Sequence, residues 1–279
     1  MNLMTDNPLP PNRKRNFLRW IKIILLIYFV VGFALYYFQE KILLHPQPLS
    51  IDYVYHFNVP FKEVNIPINK NENLNIVQFF PKDSVRKGVV LYFHGNMQNI
   101  NHYAKAADNF TKFGYEVWMP DYPGFGKTTG VLTEKKLYEE ALLVYKLVNT
   151  KFKADSIIIY GRSFGSGIAS QLATVIDCKR LILETPYYSI PALFSYYAPI
   201  YPTSFMSQFK MPVNEYLKEV TVPVTIFHGT DDEVIPYSVT EKLKKILKLT
   251  DEFITIEKGK HNNLNDFPLF HHKLDSLFR

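Results

Sequence analysis

Cysteine is nearly absent. Cys178 stands alone among 279 residues, which excludes an internal disulfide and removes cysteine-rich zinc sites. There is no His-Glu-x-x-His run to hold a catalytic metal and no Gly-x-Gly-x-x-Gly turn for a nicotinamide or flavin. The segment DYPGFGKTTG, with Asp121, Gly124 and Gly126, superficially suggests a phosphate cradle but lacks the Lys-Ser/Thr ending and spacing of a P-loop. Its glycines are better read as shaping a wall. No cofactor and no metal is therefore expected. Nor is the net charge of +6 spread along the chain, since Arg13, Lys14, Arg15, Arg19 and Lys22 cluster near the N-terminus. With no basic patch interleaved with aromatics, a nucleic-acid partner is not expected. Internal repeats and low-complexity linkers are missing too, and after residue 38 no apolar run exceeds strand length.

Aromatic residues, by contrast, are abundant: 22 Phe and 19 Tyr are more than a core alone usually needs. From Ile23 to Phe38 the chain reads IILLIYFVVGFALYYF without a charge. Extended back to Phe17, with Arg19 and Lys22 snorkelling outward, the stretch approaches the roughly 20 residues a helix needs to cross a bilayer. Trp20, Tyr36 and Tyr37 suit the interfacial zones, and the cations ahead of the helix predict a cytoplasmic N-terminus. The expected order is a basic tail over 1–16, a transmembrane anchor over 17–38, a connector over 39–60 running along the membrane surface, and a folded domain over 61–279 on the non-cytoplasmic side. A cleaved signal peptide is the rival reading, because Gly32-Phe33-Ala34 follows the apolar run.

Beyond Asp52, short apolar runs alternate with amphipathic stretches, the pattern of a mostly parallel sheet flanked by helices. Strands are expected over 62–68, 75–80, 88–93, 115–120, 156–160, 180–183, 224–228 and 253–257. Helices are expected over 100–113, 134–149, 163–176, 239–247 and 267–278. The first two strands should form an antiparallel hairpin, since NKNEN is too short for a crossover. Together these describe one α/β domain, with a mostly parallel eight-stranded sheet.

The strongest local signal is the apolar strand SIIIY running into Gly161-Arg162-Ser163-Phe164-Gly165 and then a helix of small residues. A serine on a tight strand-to-helix turn needs a strained backbone, with no room for side chains two residues before and after it. Glycines occupy both places. Serine is a weak nucleophile at neutral pH and needs a base and an orienting acid. VPVTIFHGTDDEVIP is a buried strand ending in a loop with two aspartates, and His261 lies in a loop after the last expected strand. Asp232 is favoured as the acid, with Asp231 second and Glu184 third. His228 is read as a structural partner of the acid loop. An oxyanion needs two backbone donors: the N–H of Phe164, and that of Asn96 after His94-Gly95, with Met97 possible in its place.

FHGN, DYPGFGK, GRSFGSG, HGTDDEVIP and the late His261, in that order, resemble the α/β-hydrolase superfamily from about Phe61 to the C-terminus. The N-terminal anchor, the LLHPQPL connector and the short insertion TPYYSIPALFSYYAPIYP are similar to a branch of small membrane-tethered serine hydrolases that includes depalmitoylases and lysophospholipase-like enzymes. The resemblance implies the α/β-hydrolase fold and hydrolysis of an acyl ester or thioester through an acyl-enzyme, with Ser163, His261 and Asp232 as the triad. The expected partners are an acyl-containing or lipid-like substrate and the bilayer. Residues 186–215 would form a short lid over the acyl chain, using Tyr187, Tyr188, Phe194, Tyr196, Tyr197, Tyr201 and Phe205; ordinary packing over the sheet is the alternative for these aromatics. A small-peptide hydrolase and a non-catalytic scaffold are the rival functions.

Overall fold

The computed structural model describes residues 13–83 and 86–278. The chain divides into an N-terminal helix and a compact domain that begins at Leu43. Helix α1 (Arg13–Leu43) contains a stretch, Asn16–Leu43, long and apolar enough to cross a membrane. Its 28 residues would extend about 42 Å at 1.5 Å per residue, more than a hydrocarbon core of about 30 Å. The expected tail over 1–12, and the side chains of residues 13–15, lie outside what is described. Where a connector was expected from residue 39, the helix continues to Leu43, and His45–Pro46 then pairs in parallel with Met97–Gln98 as a small separate ribbon.

Eight strands form the main sheet: β1 (Phe61–Pro67), β2 (Asn73–Phe79), β3 (Gly88–Phe93), β4 (Tyr115–Pro120), β5 (Ile157–Arg162), β6 (Arg180–Glu184), β7 (Val224–Gly229) and β8 (Glu252–Ile256). Their spatial order is β8-β7-β6-β5-β3-β4-β2-β1. β1 and β2 form the expected antiparallel hairpin, with Phe61 opposite Phe79 and Pro67 opposite Asn73. Asn69 closes its turn by accepting the N–H groups of Asn71 and Glu72 on its side-chain oxygen. β2 also runs antiparallel to β4, and every pairing from β4 through β8 is parallel.

Because side chains alternate across a strand, the continuous apolar runs feed two cores. Val89, Leu91, Phe93, Ile157 and Ile159 point to the face covered by α2 (Glu134–Asn149) and α3 (Gly165–Val175). Val90, Tyr92, Ile158 and Tyr160 point to the other, where Phe110, Phe270, Leu274 and Phe278 cover them. The last three belong to the C-terminal helix, Pro268–Phe278. Small residues let α3 lie close to the sheet: a Cβ at Gly161 would come within 2.6 Å of the Ala169 Cβ.

Two expected helices are broken. Over 100–113 the chain makes single turns at Ile100–Tyr103 and Asp108–Thr111 joined by the tighter Ala104–Ala107. The Asn101 and Asn109 side-chain amides bond Tyr53 at 3.3 Å and Asn265 at 2.9 Å, and Tyr103 stacks on His94, so the segment answers to partners outside itself. Over 239–247, Tyr237–Thr240 gives way to a tight turn at Glu241–Lys245, where Thr240 bonds the Pro186 carbonyl and three lysines crowd together.

One buried carboxylate on α2 yields a test. Burial pushes the Glu140 carboxyl up from 4.5 to about 7, against the weaker pull of Lys136 at 3.8 Å. The folded state therefore holds this proton more tightly than the unfolded chain, so stability declines as pH rises from 4.5 through about 7. Glu140→Gln should melt higher than the parent at about pH 8, with the gain vanishing near pH 4. A gain that is the same at both pH values would contradict this account.

Candidate active site

Between β5 and α3 the backbone makes the tight turn expected of GRSFG. Ser163 has φ of 50°, a left-handed conformation that a side chain other than glycine rarely adopts. The flanking glycines are required by space: a Cβ at Gly165 would lie 2.2 Å from the Phe93 carbonyl oxygen, and one at Gly161 2.7 Å from the Gly165 oxygen. The Ser163 N–H donates to the Glu184 carbonyl at 2.8 Å, and the Ser166 hydroxyl donates to the Ser163 carbonyl. The Ser163 side chain is thus carried to the N-terminal end of α3.

His261 and Asp232 come from neighbouring loops after β8 and β7. These loops touch at two glycines, since a Cβ on Gly229 would lie 2.1 Å from the Gly259 oxygen. The Asp231 N–H donates to that same oxygen at 2.9 Å. Asp232 Oδ1 accepts the N–H groups of Val234 at 2.9 Å and Ile235 at 2.7 Å, which turns Oδ2 towards His261 Nδ1 at 2.8 Å. His261 Nε2 lies 3.0 Å from Ser163 Oγ. The carboxylate can only accept, so Nδ1 carries the proton and Nε2 is left to accept from the serine hydroxyl. The Asp231 side chain is exposed and bonded to Thr230.

His228 lies beneath the acid, its Nε2 donating to the Ile235 carbonyl at 2.9 Å and standing 3.5 Å from Asp232 Oδ2. Burial holds its imidazole below the usual histidine range. Glu184, weighed as an acid, is committed elsewhere: it accepts the Tyr160 hydroxyl at 2.6 Å and pairs with Arg162 at 3.4 Å. Burial pushes the Cys178 thiol up to about 12, so it supplies no thiolate at neutral pH.

After β3, His94 is fully buried between Tyr103 and Tyr122. Its Nδ1 faces the Gly95 oxygen at 2.7 Å and its Nε2 faces Asp121 Oδ1 at 3.0 Å. Both partners are oxygens that can accept from the ring. Burial pushes the Asp121 carboxyl up from its ordinary value, against the opposing bonds from His94 and the Ile100 N–H. A Cβ at Gly95 would meet the Tyr103 hydroxyl at 2.7 Å. That hydroxyl accepts the Met97 N–H at 3.2 Å, which occupies the alternative oxyanion donor. Among the described residues, the Asn96 and Phe164 N–H groups donate to no protein acceptor.

The expected lid aromatics separate. Tyr187 is a correction: it is fully buried under the turn, its hydroxyl donating to the Phe164 carbonyl at 3.1 Å, because Gly167 leaves room for the ring beside α3. Tyr188 and Phe194 pack half-buried on the α3-side core, and Tyr201 is half-buried. Tyr196, Tyr197 and Phe205 are exposed; the Tyr197 hydroxyl donates to the carbonyls of Glu233 and Val234, next to Asp232.

Sequence reasoning missed Arg162 and Asn262. Arg162 precedes Ser163, Asn262 follows His261, and the guanidinium bonds Asn262 Oδ1 at 3.1 Å while standing 5.7 Å from the Tyr103 ring centre. The available signal was one arginine ending an otherwise apolar strand.

A family model described as "Hydrolase_4: Serine aminopeptidase, S33" matches residues 84–212, a span that includes Ser163 and ends before Asp232 and His261. The chain is similar to protein ABHD12B of Homo sapiens, 27% identical over 180 residues, covering 57% of this chain and 50% of that protein. It is similar to the lysophosphatidylserine lipase ABHD12 of Mus musculus, 29% identical over 179 residues, covering 57% and 45%. The chain thus spans about half the length of the curated relatives it matches. Among solved structures it is similar to the Pyrococcus furiosus esterase Pf2001, with TM-score 0.64 and 16% identity over 85% of this chain and 96% of that one. An esterase domain from a Rhodothermus marinus protein gives TM-score 0.60 at 14% identity, covering 78% and 96%.

Asp232→Asn should lower kcat on the order of 10⁴-fold by favouring the wrong imidazole tautomer, whereas Asp231→Asn should change it little. Steady-state hydrolysis of a p-nitrophenyl ester by the two variants decides between the aspartates; the opposite ranking would move the acid to Asp231.

Proposed function

We propose that this chain, an α/β-hydrolase by fold and related to the ABHD lipases, is a membrane-anchored serine hydrolase that cleaves acyl esters or thioesters through an acyl-enzyme. The observation that carries the reading is the continuous Ser163–His261–Asp232 hydrogen-bond chain, at 3.0 and 2.8 Å, on a serine held at positive φ. In this mechanism Ser163 Oγ attacks the acyl carbon as His261 Nε2 takes its proton, and Asp232 stabilises the imidazolium. The amides of Asn96 and Phe164 hold the oxyanion. His261 returns the proton to the leaving alcohol or thiol, then activates the water that releases the acid. The lipase and esterase names of the relatives support an ester-linked acyl substrate, and the exposed aromatics Tyr196, Tyr197 and Phe205 suit an apolar chain.

A peptidase reading, which the family model's description suggests, needs a carboxylate free to hold a substrate amino terminus. Glu184 is spent on Tyr160 and Arg162, and Glu215 is paired with Lys218 at 2.7 Å. The ester reading is therefore preferred.

The apolar stretch Asn16–Leu43 supports anchoring, and the preceding cations support a cytoplasmic N-terminus with the catalytic domain on the opposite side. Full-length protein should stay in the pellet after a carbonate wash, and a reporter fused after Arg279 should read the non-cytoplasmic side. A cytoplasmic signal overturns the orientation, and release into the supernatant overturns the anchor.

Ser163→Ala should abolish both ester hydrolysis and labelling by a fluorophosphonate while leaving the melting temperature near that of the parent. The parent should cleave p-nitrophenyl esters much faster than aminoacyl anilides. Turnover by the alanine variant would refute the nucleophile, and the opposite substrate preference would favour the peptidase.

A further inference from the structure

The loop that carries Asn96 is held locally by His94 on the Gly95 carbonyl and by the Met97 N–H on the Tyr103 hydroxyl. Asn96 is half-buried, Met97 is exposed, and Gln98 has φ of 53°. A second set of bonds comes from far earlier in the chain. The Asn96 side-chain amide donates to the Leu43 carbonyl, and the His45 N–H donates back to the Asn96 carbonyl at 2.9 Å. The Gln47 N–H donates to the Gln98 carbonyl at 2.9 Å, and the Asn99 side chain returns a bond to the Gln47 carbonyl at 2.9 Å. Further along, Leu49 donates to the Gly126 oxygen at 2.7 Å. Leu43 and Leu44 are buried in the core on the α3 side, which roots this segment in the domain.

The two peptide groups on either side of the Asn96 Cα are therefore each held by a hydrogen bond of their own. The Gly95 carbonyl is held by the His94 ring, and the Asn96 carbonyl by the His45 N–H. In a trans peptide the Asn96 N–H points opposite to the Gly95 oxygen, so fixing both planes fixes the direction of that N–H. An oxyanion donor works only when it is already aimed, and displacements near 1 Å cost about 100-fold in rate.

We infer that residues 43–47 are a strap that positions the oxyanion loop, and that they act on acyl transfer through the Asn96 N–H. The inference rests on the reading of Ser163 as nucleophile and Asn96 as donor. His45 and Asn96 are positioning residues in this scheme, His45 through its backbone and Asn96 through its side chain.

Replacing His45 by proline removes the N–H that holds the Asn96 carbonyl, while alanine keeps it. Full-length parent, His45→Pro, His45→Ala and Asn96→Ala are compared in detergent, with active sites counted by fluorophosphonate titration. His45→Pro should lose about tenfold or more in kcat per titrated site with KM within about twofold. Its affinity for a boronic acid, which forms a tetrahedral adduct on serine, should fall in parallel. His45→Ala should stay within about twofold of the parent on both measures, because the N–H remains. Asn96→Ala should lose kcat in the same direction, since it keeps its own N–H but releases Leu43. A purely structural strap would lower the yield of titratable sites or the melting temperature and leave kcat per site and boronate affinity unchanged; that result overturns the inference. Should His45→Pro fail to fold, Asn96→Ala decides by the same two measures. Retained turnover in Ser163→Ala would instead refute the nucleophile, whatever the strap variants do.

Discussion

Two non-glycine residues at the carboxyl ends of adjacent strands, Ser163 and Thr185, sit at positive φ of 50° and 48°. Each such conformation costs on the order of 1–3 kcal/mol and persists only where its surroundings over-determine it. Here they do. The Ser163 N–H is tied to the Glu184 carbonyl across the β5–β6 edge, and the Thr185 N–H to the Phe227 carbonyl across the next. Gly165 presses against the end of β3, and Tyr187 braces the Phe164 carbonyl from below. The parallel sheet, the small-residue face of α3 and the burial of Tyr187 all serve one requirement, that a serine be held out of its preferred backbone conformation at the end of a strand.

Around that turn lie three buried carboxylates, Asp121, Glu184 and Asp232, each at or just beyond the end of a different strand. Unpaired, such charges would be costly in a low-dielectric interior. Each has its own donors: His94 and the Ile100 N–H for Asp121, Tyr160 and Arg162 for Glu184, His261 with the amides of Val234 and Ile235 for Asp232. Because no donor is shared between carboxylates, each loop is fixed separately. The loops are then linked sideways, the serine turn to the histidine loop through Arg162 and Asn262, and the loop after β3 to residues 43–49. Residues 43–49 thus belong to the compact domain, hydrogen-bonded to the loops after β3 and β4.

Much of this arrangement was legible in the linear chain. The strands appeared because β-branched runs of four to six residues bounded by turn formers have few other solutions. GRSFG was informative because a glycine two residues either side of a serine has a steric meaning, seen directly in the contacts that Gly161 and Gly165 make. His261 was singled out by its place after the last strand, and Asp232 over Asp231 by its spacing from the end of β7. The apolar helix was visible from length and charge alone.

What the sequence could determine by itself was therefore whatever depends on periodicity, on short-range sterics and on the order of motifs. What only the tertiary structure decided depends on pairs distant in the chain. The helices expected near residues 100 and 239 broke because Tyr103 and Thr240 answer to His94 and Pro186, partners that local propensity does not see. Tyr187 left the lid for the core because a glycine on another element made room for it. Arg162 found Asn262, 100 residues away, and His45 found Asn96, through contacts that leave no local pattern in either segment. A hydrogen bond between two loops is a property of where the sheet delivers them, and no stretch of sequence carries that information alone.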